Sequence, residues 1–125
     1  MQKNTILIIE DELAILNNIS TILEISGFTC LKANSGVQAL QLFETLMPHL
    51  ILCDVMMPEM DGFEVLQKLR ENELTKNIPF CFLSARADIL DIDYGLSLGA
   101  NGYITKPFTA KDLVQTVQKL LPKNE

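Results

Sequence analysis

The chain has 125 residues, of which 48% are hydrophobic, with a formal net charge of -6, enough apolar material for one core of ordinary size. No apolar run approaches the roughly 18 residues of a membrane span, so the expectation is one cytoplasmic domain over residues 1–125. A pI near 4.7 argues against direct nucleic-acid binding, because a surface that grips phosphate backbones concentrates Lys and Arg on one face.

Short β-rich apolar runs alternate with segments of helical period, the pattern of successive βαβ units and a parallel sheet. The first strand is "TILII", followed by the helix "ELAILNNISTILEISG", with Leu16, Ile19 and Leu23 at helical spacing and Gly27 as its stop. "FTCLKA" is the second strand. "SGVQALQLFETL" is the second helix, with Ser35 as N-cap and Val37, Leu40 and Phe43 on one face. "LILC" is the third strand, apolar throughout as expected when helices cover both faces of a sheet, and Asp54 ends it. Asp61 caps a third helix, "GFEVLQKLREN"; Pro79 then introduces the fourth strand, "FCFLS". The fourth helix "DILDIDYGLSLG" stops at Gly99, "GYIT" is the fifth strand, and "AKDLVQTVQKLL" is the last helix, ending before Pro122. The tail "PKNE" is too short for another module. Cys30, Cys53 and Cys81 are widely separated beside or within strands, which offers neither a CxxC redox pair nor a zinc site, so they read as reduced packing residues.

A (βα)5 chain of this size forms an open doubly wound sheet, and ligands in such folds sit beyond the carboxyl ends of the strands. That rule gathers Glu10 and Asp11 after strand one, Asp54 after strand three, Ser84 at the end of strand four and Lys106 after strand five at one edge. Three carboxylates and one ammonium leave two net negative charges, which would repel a phosphate unless a divalent cation joined them. Hard oxygen ligands without His or Cys suit Mg2+, with Mn2+ as its substitute.

The order and spacing of the acidic pair Glu10-Asp11, of Asp54 with "MPEMDG" after it, of Ser84-Ala85 and of "GANGYITKPF" carry a resemblance. Over essentially its whole length the chain resembles the receiver domain of two-component response regulators. The resemblance implies the strand order 2-1-3-4-5 and a phosphoryl group accepted on Asp54 from a sensor histidine kinase or phosphotransfer protein. It implies Asp11, Asp54 and the Met56 backbone carbonyl as metal ligands, Glu10 acting through metal-bound water, and Lys106 clamping the phosphoryl oxygens. Ser84 and Tyr103 become the switch that alters the surface of helix four, strand five and helix five, read by a target protein, an output domain or a second copy. The Lys106-Pro107 bond is expected to be cis. Glu10 and Ser84 depart from the commoner Asp and Thr, which predicts altered rates with the chemistry kept.

Plainer roles compete for the same residues. Asp11 can cap helix one, Tyr103 can be a core aromatic, Ser84 a turn residue and Lys106 a solvated lysine. Met56 and Met57 read as loop packing, Glu12 as a first-turn acid, and His49 has no phosphotransfer helix around it. A phosphorylation-independent receiver-like interaction module is the alternative function, although such modules usually lack the acceptor Asp or the Lys and both are present here. A hydrolase with an Asp nucleophile needs a second acid where Met56 stands, and a nucleotide carrier needs glycines where the chain has "EDELA".

Overall fold

The computed structural model describes residues 4–122, so tail residues 123–125 lie outside the described residues. Five parallel strands, β1 (Thr5–Ile9), β2 (Thr29–Ala33), β3 (Leu50–Asp54), β4 (Phe80–Ser84) and β5 (Gly102–Thr105), lie in the order 2-1-3-4-5. The helices are α1 (Leu13–Ile25), α2 (Gly36–Leu42), α3 (Gly62–Arg70), α4 (Ile89–Ser97) and α5 (Ala110–Leu120).

Strand alternation builds two apolar layers. Ile6, Ile8, Leu50, Leu52, Cys81 and Leu83 pack with Leu16, Ile19 and Leu23 of α1 and with Leu113 and Val117 of α5. Leu7, Ile9, Ile51, Cys53, Phe80 and Phe82 pack on the other face with Phe63, Val65, Leu66 and Leu69 of α3. All five residues of β3 and of β4 are buried, which accounts for their unbroken apolar character. Cys53 and Cys81 lie in these layers as free thiols, and Cys30 is half-buried against the layer under α1 and α5.

The helix ends correct several expected boundaries. Helix α1 begins at Leu13 with Glu12 at the N-cap, and β2 starts at Thr29 instead of Phe28. Ser35 caps α2 by accepting from the Gln38 N–H, but the helix stops at Leu42, where bonds from Glu44 to Gln41 and from Thr45 to Leu42 tighten the chain into turns ahead of Pro48. Its buried face is Gly36 and Ala39, while Val37 is 47% exposed. At Gly36 the approach is close, since a Cβ there would meet Val65 at 2.8 Å, whereas Leu40 and Phe43 pack on the α3 layer as partly buried residues. Asp61 caps α3 through a full capping box with Glu64, as expected, and the helix ends at Arg70. Among the described residues the buried Ser20 Oγ has no hydrogen-bond partner.

Gly62 ties α3 to the end of β3. Its N–H donates to the Val55 carbonyl at 2.9 Å, and a Cβ here would lie 2.3 Å from the Asp54 carbonyl oxygen. No flexible side chain can yield to relieve that overlap, because the obstacle is backbone. Gly62→Ala should therefore destabilise the fold by roughly 1–3 kcal/mol, seen as a lower urea midpoint at unchanged slope. An unaltered midpoint would show that α3 is free to shift.

Candidate functional site

Strand register places the chemistry. Ile9 pairs with Cys53 and Asp54 with Leu83, while the Glu10 N–H continues the β1–β2 ladder to the Ala33 carbonyl at 3.0 Å and the Lys106 N–H continues β4–β5 to the Ser84 carbonyl at 2.8 Å. Glu10, Asp54 and Lys106 share the strand parity of Ile8, Leu52 and Ile104, so they emerge together at the carboxyl edge.

The Lys106 ammonium bridges two carboxylates. Its Nζ donates to Glu10 Oε1 at 2.7 Å and to Asp54 Oδ2 at 3.3 Å. Glu10 and Asp54 are 1% and 5% exposed, so water does little to screen either. Glu10 Oε2 accepts from the Glu12 N–H at 3.3 Å, and Asp54 Oδ1 accepts from the Met56 N–H at 3.3 Å. Asp11, the most open acid of the three, completes a group in which Glu10, Asp11 and Asp54 each bring a carboxylate oxygen within 4.8 Å of the others. Asp11 is thus not the cap of α1, whose N-cap Glu12 makes no side-chain capping bond.

Burial pushes the Glu10 carboxyl up to about 7, the Lys106 bond opposing and the Asp54 charge adding to the effect. Burial alone would lower the Lys106 ammonium, but its bond to Glu10 and the charges of Asp54 and Glu10 outweigh that, and Lys106 titrates above its ordinary range.

Ser84 and Tyr103 do not join this cluster directly; they meet at Arg86. Ser84, fully buried, accepts through Oγ from the Arg86 N–H at 3.0 Å, and the Tyr103 hydroxyl donates to the Arg86 carbonyl at 2.8 Å. The Tyr103 ring lies 5.7 Å from Phe82, and burial raises its hydroxyl pKa. Both residues share the strand parity of Phe82 and face the α3–α4 layer. Lys106-Pro107 is cis. Met56 is 55% exposed and Met57 is buried in the core layer, with both lining a cavity of about 390 Å³ beside Arg86 and Asp61.

Several residues escape a reading of the sequence. Arg86 looks like a loop residue, and the Asp-Gly pair after β3 signals only a helix start, although a glycine at a first helical position is a poor helix former and hints at close approach. His49, read only as a lone histidine, accepts through Nδ1 from the Thr5 N–H at 2.9 Å and extends the β1–β3 edge.

A five-stranded doubly wound sheet with three carboxylates and a lysine at its carboxyl edge is the architecture of a phosphoacceptor signalling domain. The chain matches the response regulator receiver domain over residues 6–118 and belongs to that family. It is 39% identical to the DNA-binding dual master transcriptional regulator RpaA of Synechocystis, covering 96% of this chain and 50% of that protein. It is 39% identical to the phosphate regulon transcriptional regulatory protein PhoB of Pseudomonas aeruginosa, covering 97% of this chain and 53% of that protein. The chain therefore spans about half the length of these curated relatives. Among solved structures, the chemotaxis protein CheY4 of Vibrio cholerae superposes with a TM-score of 0.91 at 28% identity, covering 96% of this chain and 100% of that one. The Francisella response regulator 1452 receiver domain gives a TM-score of 0.88 at 33% identity, covering 94% and 96%. The chain is thus a receiver domain, a signalling domain of two-component systems, and among the described residues no helix is long and apolar enough to cross a membrane.

Glu10 gives the metal-free site a pH signature. A carboxyl whose folded pKa is raised contributes its full stability below the unfolded value near 4.5 and loses it as pH rises through about 7. With a chelator present, the Tm of the wild type should fall relative to that of Glu10→Gln over this window. A difference that stays constant from pH 4.5 to 7.5 would show that Glu10 carries no such strain.

Proposed function

We propose that the Asp54 carboxylate accepts a phosphoryl group from a histidine kinase or phosphotransfer protein, and that residues 1–125 act as one cytoplasmic receiver unit controlling an output domain or target protein. The observation that carries this reading is the Lys106 ammonium held between the buried carboxylates of Glu10 and Asp54. A lone carboxylate repels an anionic donor; one hydrogen-bonded to a fixed cation at an open edge has charge compensation ready for the transferring oxygens.

In the transfer, an Asp54 carboxylate oxygen forms a bond to phosphorus as the bond from phosphorus to the donor nitrogen or oxygen breaks. The electron pair leaves with the donor: as neutral imidazole, protonated beforehand, or as acetate from acetyl phosphate. Lys106 stays protonated throughout and turns from Asp54 Oδ2 to a phosphoryl oxygen, while Glu10 keeps it in place. The three carboxylates Glu10, Asp11 and Asp54 fit Mg2+, with Mn2+ as substitute, Asp11 and Asp54 as direct ligands with the Met56 carbonyl and Glu10 acting through metal-bound water. When bound, Mg2+ supplies positive charge that offsets the phosphoryl oxygens.

Phosphorylation makes the site more negative by about one unit. Ser84 can answer by turning its hydroxyl to the phosphoryl group, which releases the Arg86 N–H, and Tyr103 holds the carbonyl of that same residue. The signal then reaches the start of α4, where Ile89 and Leu90 are 74% and 83% exposed and available to a partner or a second copy. Self-phosphorylation and its reversal are the only reactions this site needs to catalyse.

Intact-protein mass measurement with acetyl phosphate and Mg2+ tests the reading. Wild type should gain one phosphoryl group and Asp54→Asn none, with far-ultraviolet circular dichroism unchanged; equal gain in the variant would overturn the assignment. Lys106→Ala should slow uptake about tenfold or more while Mg2+ binding, followed by calorimetry, stays close to wild type. An undiminished rate would remove Lys106 from the transfer.

A further inference from the structure

The two ends of α4 are attached in opposite ways. At its C-terminus the Arg70 guanidinium, half-buried at the end of α3, donates through Nε and Nη2 to the Gly99 carbonyl at 3.2 and 2.9 Å. Nη1 donates to the Ile78 carbonyl ahead of β4 at 2.9 Å, and Nη2 reaches Asn101 Oδ1 at 3.2 Å. Asn101 in turn accepts from the Phe80 N–H at 2.9 Å and donates its own N–H to the Phe80 carbonyl at 2.7 Å. Among the described residues no carboxylate pairs with Arg70, so its charge is met by carbonyls at the negative end of α4 and by the entry to β4. Gly99 has φ +109, and a Cβ there would meet Arg70 Nε at 3.1 Å, so the fork lies directly against the helix stop.

The N-terminal end is loose by comparison. Residues 85–90 are all exposed, and the N-cap Asp88 makes no side-chain capping bond. This end is held to the sheet through Arg86, by the Ser84 and Tyr103 hydrogen bonds, with a long 3.9 Å ion pair from Arg86 to Asp91. Between the ends, Gly95 is the single buried residue of α4, resting on Phe82, and Tyr94 packs edge-on to Phe63 at 4.9 Å.

Helix α3 closes the loop of contacts. Gly62 at its start touches the Asp54 carbonyl and Arg70 at its end holds the Gly99 carbonyl, so a rigid rod of about 13 Å links the acceptor to the far end of α4. We propose that Arg70 is a positioning residue that fixes the C-terminal end of α4 as a pivot, so that a change at Asp54 is expressed as a swing of its N-terminal half. The proposal rests on the receiver reading for its trigger, and on the Arg70 hydrogen bonds alone for the pivot.

Amide hydrogen exchange, read by peptide mass on wild type, Arg70→Met and the milder Arg70→Lys, tests it, with phosphorylation of each sample followed separately by intact mass. Before phosphorylation, Arg70→Met should speed exchange at residues 97–101 by about tenfold or more, with Arg70→Lys between it and wild type and residues 5–9 and 50–54 unchanged. After acetyl phosphate and Mg2+, wild type should change at 85–92 and stay constant at 97–101, whereas in Arg70→Met the change should spread into 97–101. Phosphoryl uptake should stay within about twofold of wild type in both variants. Faster exchange over the whole chain would mean that Arg70 only stabilises the fold, and an equal response at both ends of α4 in wild type would mean that there is no pivot; either overturns the proposal. If a folded wild type takes up no phosphoryl group, the phosphoacceptor reading of Asp54 fails, while end-selective opening in Arg70→Met still supports the pivot and its absence refutes it.

Discussion

One ammonium group between two buried carboxylates organises this molecule's working edge. Lys106 lies 2.7 Å from Glu10 and 3.3 Å from Asp54, on strands that are separated in sequence by 96 and 52 residues and meet only because the parallel register brings their ends level. Without that cation, two carboxylates with almost no solvent around them would repel each other, and the rise of Glu10 to about 7 shows how much desolvation remains even with Lys106 in place. The tension is useful. A site that holds excess negative charge under partial compensation favours an additional cation.

The two faces of the sheet divide the labour. Glu10, Asp54 and Lys106 continue the strand positions that face α1 and α5, whereas Ser84 and Tyr103 continue those that face α3 and α4. The charged cluster and the Ser84–Tyr103 pair thus sit on opposite faces, joined through β4 and β5, with Arg86 as the shared contact of Ser84 and Tyr103.

Much of this was legible because the informative signals are local. Five-residue apolar runs ending in Asp54 or Ser84 can hardly be anything but buried parallel strands, and the rule that ligands gather at their carboxyl ends locates the site without coordinates. The observed strand order 2-1-3-4-5 is the one that the family resemblance implied, not one that local patterns contain. What remained hidden is what depends on distance. The tighter partner of Lys106 proved to be Glu10, and Glu12, not Asp11, occupies the cap of α1. Val37 is exposed while Leu40 and Phe43 pack on the α3 layer, and the close approach of α2 to Val65 at Gly36 is a fact of helix separation that periodicity does not contain. Arg70 likewise reads as an ordinary cation in a last helical turn until its fork is seen on carbonyls 29 and 8 residues away.

The most direct test of the central claim is to locate the modified atom. An acyl phosphate is reduced by borohydride to the corresponding alcohol, so an aspartyl phosphate at residue 54 becomes homoserine and can be found by peptide mass mapping. After incubation with acetyl phosphate and Mg2+, homoserine should be found at residue 54 alone, and chelation of the metal should abolish it. Trapped product at another carboxylate, or none from a folded protein that carries the phosphoryl mass, would contradict the assignment of Asp54 as the acceptor.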